Sequence, residues 1–350
     1  MKGRMLFVTS FIIVGLFIAP MLFEARAEAN RTDKKKAKHI IKLASIAPKG
    51  VGWSVIGDKL IADIYKKTNY EVYIDPYWGG IMGDDEDYIT KMTIGQLDAG
   101  GFSGQGSLMV CPESSVVTLP FLFNDYDEVN YIKEKTRSIF DKIAANNGYK
   151  LTVWLDQDFD QFYSKKYELR RAEDFKKSKF LTWFGSLEAE VIRSLGGSPI
   201  PVNLPELPSY MRSGIGDSVI APAILWVGTQ LYTVSKYVNP ILIRYSPGLI
   251  MISMRKWNEL PPHHQKTLTD EFSRLELEFN IFSHDSNKKC LKAMLKYGLK
   301  EVKLTAKELE TLRGRTRPLY DKMAGKEYPR KLLNEVLTNL RDFRAKDDKI

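Results

Sequence analysis

The sequence predicts an α/β protein of two domains, braced by one long helix toward the C-terminus. Three observations carry this. The chain has 350 residues, enough for two domains of ordinary size. Between residues 179 and 226, short apolar runs alternate with helical patterns in the order strand, helix, strand. Between residues 262 and 296, Leu268, Phe272, Leu275, Phe279 and Phe282 recur at steps of four, three, four and three, the stripe of one unbroken amphipathic helix.

The N-terminus reads as a processing signal. Lys2 and Arg4 precede an apolar run from Met5 to Phe23, and Ala25-Arg26-Ala27 offers a small-x-small cleavage site. Residues 1–27 are therefore expected to be a cleaved signal peptide. Gly15 and Pro20 interrupt the run and argue against an uncleaved anchor. Residues 28–38 are polar and read as a flexible leader.

His39–Ile46 reads as a first strand, Trp53–Lys67 as a helix and Val72–Tyr77 as a second strand. Asp84–Ile94 is a helix begun on acidic residues, which suit the positive end of its dipole. Gly95–Gly106 reads as a Gly-rich strand and turn. LPFLF at 119–123 is an apolar loop, Asp127–Asn146 a helix and Leu151–Leu155 a strand. DQDFD at 156–160 reads as a solvated turn. As a calcium loop it fails, because Gln161 and Tyr167 stand where the glycine and the final glutamate belong. Phe180–Trp183 is a strand, followed by a helix carrying Leu187, Val191 and Leu195 and stopped by Gly196-Gly197. Pro199–Val202, a small helix, a turn at Gly214–Asp217 and the run Val219–Ala221 complete that unit. Tyr237–Tyr245 and Leu249–Ser253 are strand-like runs around Ser246-Pro247-Gly248. Trp257–Pro262 opens the long helix, roughly 50 Å if unbroken. The tail from Thr305 is helical and charged, with breaks at Pro318 and Pro329.

Candidate chemistry is sparse. The net charge of +9 is spread along the chain, without the basic runs and interleaved aromatics that nucleic acid requires. Gly104-Gln105-Gly106 is no dinucleotide fingerprint, since Met109 replaces its third glycine. The four histidines, 39, 263, 264 and 284, lack metal-ligand spacing. His263 and His264 are neighbours that point apart on a helix, and all four read as exposed. No nucleophile motif is present. The expectation is therefore no enzyme, no metal and no cofactor. Cys111 and Cys290 can form one bridge or remain two buried thiols, and the second is expected.

Several segments carry a family resemblance. KTNYEVYIDPYWGGIMGDDEDYITKMTIGQLDA and LPFLF resemble the N-terminal half of periplasmic solute-binding proteins of tripartite ATP-independent periplasmic (TRAP) transporters. LGGSPIPVNLPEL, SGIGDSVIAP, SKYVN and WNELPPHHQKTL resemble successive segments of the second half. The match is collinear from about residue 40 to about 304. It implies a two-domain periplasmic binding protein, type II-like, with a long hinge-bracing helix. Domain I would be 39–155 plus 250–290, domain II 156–249, the brace 262–296 and a C-terminal helical segment 297–350. It further implies a small ligand enclosed in the interdomain cleft by hinge closure, then delivered to TRAP integral membrane permease subunits. A sensing or protein-interaction role on the same fold is the alternative.

The chain departs from this pattern where the family contacts a ligand carboxylate. Leu181 in KFLT stands at the position of the family's arginine, whose planar fork suits a carboxylate. Ala221 replaces a polar residue, and Asp160 falls near a further basic position. Trp53, Phe121, Trp154, Leu181, Trp183, Ala221 and Trp226 are expected to line the cleft, with Gln105, Gln157 and Asn203 as polar handles. Such a lining predicts a hydrophobic or amphipathic ligand rather than a simple dicarboxylate. Its tryptophans would also suit a quaternary ammonium.

Overall fold

The alternating run HIIKLAS forms a buried strand, β1 (His39–Ser45), and the chain builds outward from it in a computed structural model describing residues 36–50 and 52–347. The expected signal peptide, and the expected leader up to residue 35, lie outside the described residues. Helix α1 (Trp53–Lys67) buries Leu60, Ile61 and Ile64. β2 (Val72–Tyr77) then returns parallel to β1. α2 (Asp85–Thr93) starts on a capping box, in which Asp84 and Asp87 each accept from the other's end of the first turn. β3 (Ala99–Phe102) joins β1 on its other side, also parallel. FSGQGS is not a turn: Ser103 caps α3 (Gly104–Val110), its Oγ accepting from the Gly106 N–H at 3.2 Å.

A 3₁₀ segment (Pro112–Thr118) and α4 (Tyr126–Asn146) lead to β4 (Tyr149–Ser164), sixteen residues long. The solvated turn expected at 156–160 is therefore wrong. DQDFD is the middle of a strand, and Asp156, Asp158 and Asp160 are all buried. A second parallel unit follows: α5 (Ala172–Lys177), β5 (Lys179–Thr182), α6 (Ser186–Leu195), β6 (Ser198–Pro201), α7 (Leu207–Ser213), β7 (Ser218–Ala221) and α8 (Ala223–Gly228). Gly196, at φ 102°, ends α6 in the left-handed conformation that glycine adopts without strain. The two expected runs around Ser246-Pro247-Gly248 are one continuous strand, β8 (Tyr237–Ser253). After α9 (Met254–Asn258), α10 (Pro262–Tyr297) runs unbroken for 36 residues. β9 (Lys300–Glu301), α11 (Ala306–Thr316), α12 (Leu319–Met323) and α13 (Arg330–Asp347) complete the chain.

The strands form one path, β2-β1-β3-β8-β4-β7-β5-β6, with β9 beside β8. β4 and β8 pair antiparallel along their length, with three register shifts. Leu249–Ile252 of β8 meet β3, and Gln161–Ser164 of β4 meet β7. The two parallel units are thus joined through two long crossing strands. α10 packs on both units: Leu268, Phe272 and Phe279 enter the core beneath α1, and Met294 enters the core around Tyr163, Leu181 and Trp226. The C-terminal helices close a third core against α4 and α6, where Arg344 pairs with Glu128 at 2.7 Å.

Candidate ligand-binding cleft

In parallel α/β units, ligands bind in the crevice outside the carboxyl ends of the strands. Here the ends of β1 and β3 carry Ile46 and Ser103, and those of β5 and β6 carry Trp183 and Val202 with Asn203. Two depressions lie between the units. One, of about 420 Å³, is lined by residues including Gln105, Thr182, Trp183, Ser186, Asn203 and Glu206. The other, of about 330 Å³, is lined by Ile46, Asp84, Asp85, Glu86, Gln105, Met109 and, from the second unit, Asn203, Leu204 and Leu225 among others. Gln105 and Asn203 face both. Among the described residues, neither depression is lined by a lysine or an arginine.

A buried charge network stands behind this cleft on the crossing strands. Arg244 of β8 lies opposite Asp160 of β4, its Nε 2.6 Å from the Asp160 Oδ2. Its Nη1 is 3.0 Å from the Glu188 Oε1, and its guanidinium lies 3.7 Å from the centre of the Phe184 ring. Glu188 also accepts the backbone N–H groups of Trp183 and Phe184, each at 2.8 Å, which fixes the turn from β5 into α6. Burial pushes the Asp160 carboxyl up to about 6 despite Arg244. Glu188 is likewise raised by burial, with Arg244 opposing. Asp158, bonded by the Tyr126 hydroxyl, is raised by burial to about 7. Asp156 goes the other way. Burial would raise it, but the Lys133 charge and bonds from His284 and Tyr245 outweigh burial and hold it low.

Of the sequence-predicted residues, the cleft brings together Gln105, Trp183 and Asn203. Trp183 is anchored by its Nε1, which donates to the Ile220 carbonyl at 2.9 Å. Asp160 is buried behind them on Arg244. Leu181 and Ala221 are fully buried, and Leu181 is so tightly packed that a Cβ on Gly216 would fall 2.4 Å from its Cγ. Trp53 is half-buried at a cavity of the first unit, its ring 5.2 Å from Phe279. Leu181 and Ala221 therefore lie in a core and not on the cleft wall, and three further expectations are corrected. Trp154 packs edge-to-face on Phe140 at 4.8 Å in the core beneath α4. Trp226 stacks on Tyr163 at 4.6 Å and donates to the Ser235 Oγ. Phe121 lies beside Arg313 of α11, packed against the core that the C-terminal helices close.

The histidines are not uniformly exposed, contrary to the expectation from sequence. His264 is 3% exposed and bonds Glu71 at 3.0 Å, while His284 stacks on Tyr126 and bonds Asp156. Both cysteines are free thiols, Cys111 buried and Cys290 half-buried. Arg244 is not among the residues expected from sequence. Its signal was a lone arginine inside the apolar run ILIRYS, since a charge in a buried strand requires a partner.

Two α/β units joined by paired crossing strands, with a cleft at their strand ends, make a two-lobed fold. The chain belongs to the bacterial extracellular solute-binding proteins of family 7, whose family model matches residues 55–327. It is therefore a binding receptor and not an enzyme. Relatives include the ectoine-binding periplasmic protein TeaA of Halomonas elongata, 23% identical over 71% of this chain and 72% of that one. The C4-dicarboxylate-binding protein DctB of Bacillus subtilis is 21% identical over 85% of each chain. The fold matches TRAP periplasmic solute-binding proteins of known structure. One from Ochrobactrum anthropi superposes with a TM-score of 0.80 at 20% identity, covering 89% of this chain and 97% of that one. One from Haemophilus influenzae, with bound L-gulonate, gives 0.79 at 20% identity, covering 87% and 99%. Among the described residues, no helix is long and apolar enough to cross a membrane.

Proposed function

We propose that the mature protein, freed of residues 1–27 in the periplasm, is the solute receptor of a TRAP-type transporter. It takes a small hydrophobic or amphipathic ligand between a first domain (39–155 plus 250–290) and a second (156–249), closes by hinge motion, and hands the ligand to the membrane permease subunits. Gln105, Trp183 and Asn203 are the ligand contacts on this reading. One observation carries the ligand class: the cleft is lined by carboxylates, amides, hydroxyls and apolar groups without a lysine or arginine. The H. influenzae relative of known structure holds the sugar acid L-gulonate. On the family resemblance Leu181 stands where a carboxylate-binding arginine is expected, and Arg244 is already neutralised by Asp160 and Glu188. A buried carboxylate without a charged donor forfeits a bond of about 1.5–3 kcal/mol.

Native mass spectrometry of protein purified without added ligand tests this. A co-purifying neutral or cationic organic solute is the expected result. Recovery of a dicarboxylate or sugar acid at stoichiometric occupancy overturns the ligand class.

A further inference from the structure

Beside Ile46, on the first unit, lies a cavity of about 70 Å³ that the cleft described above does not use. That is several times the room a single water needs. Leu43, Leu60, Ile74, Trp53, Trp78 and Phe279 form much of its wall. Most of its few polar side chains are engaged elsewhere, the Trp53 Nε1–H alone being a buried donor without a partner among the described residues. Ser45 Oγ accepts the Ala47 N–H at 3.3 Å, Ser103 Oγ donates to Asp85, and Gln157 Oε1 accepts the Gly104 N–H at 3.0 Å. Water placed there would find few partners, so the space suits carbon. The cavity is built in rather than loosely packed. The Trp78 indole is pinned by its Nε1, which donates to Asp58 at 2.8 Å, and it lies so close over α1 that a Cβ on Gly57 would fall 2.8 Å from it.

The cavity and the acidic depression of the cleft share Ile46, and Ser103 of the cavity is bonded to Asp85 of the depression. An apolar chamber thus adjoins a polar rim. We propose that the cavity beneath α1 is the tail subsite of the cleft. It takes a short alkyl chain or a single ring of an amphipathic ligand, whose hydroxyl or ammonium head stays at the rim with Gln105, Asn203 and Glu86. The head is uncharged or cationic because the rim offers carboxylates and amides to it. This inference rests on the receptor reading and adds the shape of the ligand.

Isothermal titration of the signal-cleaved protein with n-alkylammonium ions and n-alkanols, from butyl to octyl, tests it. Affinity should tighten about fourfold for each added methylene until the cavity is full, and then level off. Ile61→Phe, which fills the cavity from α1, should abolish the dependence on chain length. Leu155→Ala, which enlarges it, should move the plateau to a longer chain, and it decides the matter if the first variant does not fold. A flat series, no saturable binding in either series, or the same chain-length slope in both folded variants overturns the tail subsite. Those failures leave the receptor reading and its non-acid ligand class standing, because the ligand class falls only to an acid ligand recovered from native protein.

Discussion

Asp158 shows how a single residue on a crossing strand couples the fold to pH. Its carboxyl is buried, raised to about 7 from an ordinary 3.8, and bonded by Tyr126. In the unfolded chain it ionises at its ordinary value, while in the fold it keeps its proton. Its contribution to stability is therefore full below about pH 4 and is lost as pH rises toward 7. Asp160, raised to about 6, adds to the same decline. Asp156 is held low and acts oppositely, its contribution being lost as pH falls below the ordinary carboxylate range. Asp158→Asn keeps an acceptor for Tyr126 but removes the titration. It should flatten the fall in melting temperature between about pH 4 and pH 7. At pH 8 it should stabilise the protein by on the order of 2–4 kcal/mol. An unchanged pH slope in this variant would sink the argument.

At the scale of elements, the least expected feature is the second face of α10. Beside the apolar stripe that the sequence displayed, Glu276, Asn280, Ser283 and Asn287 form a polar stripe that satisfies the backbone of β4. Glu276 accepts the Trp154 N–H at 3.0 Å, and Asn280 accepts the Asp156 N–H at 2.8 Å. Ser283 and Asn287 donate to the Gln157 carbonyl at 3.1 and 3.2 Å, and Asn287 also accepts the Ile224 N–H at 2.9 Å. β7 pairs with β4 only from Gln161 onward, so these side chains take the place of a neighbouring strand. Asn287→Ala should cost about 1–3 kcal/mol, because it strands a backbone donor of α8. Leu277→Ala, at an exposed position of the same helix, should leave the melting temperature nearly unchanged. Equal melting temperatures for the two variants would show that the polar stripe carries no weight.

The same helix explains what the sequence could reveal. Alternation and 3.6-residue spacing marked β1, α1, β2 and α6, because one face of each meets a core. DQDFD resembles a turn in sequence because charges in a strand look like solvent-facing residues until Lys133, Arg244 and Tyr126 arrive from distant segments to meet them. Gln105, Trp183 and Asn203 were legible as site candidates from the family pattern. Trp154 and Trp226 carry the same residue type yet pack into cores, a difference that no local pattern records.

At the scale of the whole molecule, three elements cross between the units, and the cleft is already shut at one point. Gly104 of α3 faces Phe184 at the start of α6, so closely that a Cβ there would lie 2.2 Å from the ring and 2.8 Å from the Ser246 Oγ. Leu108, one turn further along α3, packs against the core of the second unit. Phe184 is in turn held from behind by Arg244. The contact between the lobes thus depends on a position without a side chain, backed by a ring that cannot retreat without disturbing the buried Arg244 network. Gly104→Val should wedge α3 away from Phe184 and hold the lobes apart. The crossing strands β4 and β8, paired along their length, would keep each lobe folded. Small-angle scattering should then report a larger radius of gyration for the variant than for the parent, and native mass spectrometry should find it stripped of co-purifying solute. A Gly104→Val protein with the parent's radius and its full complement of solute would mean that closure does not pass through the α3–Phe184 contact.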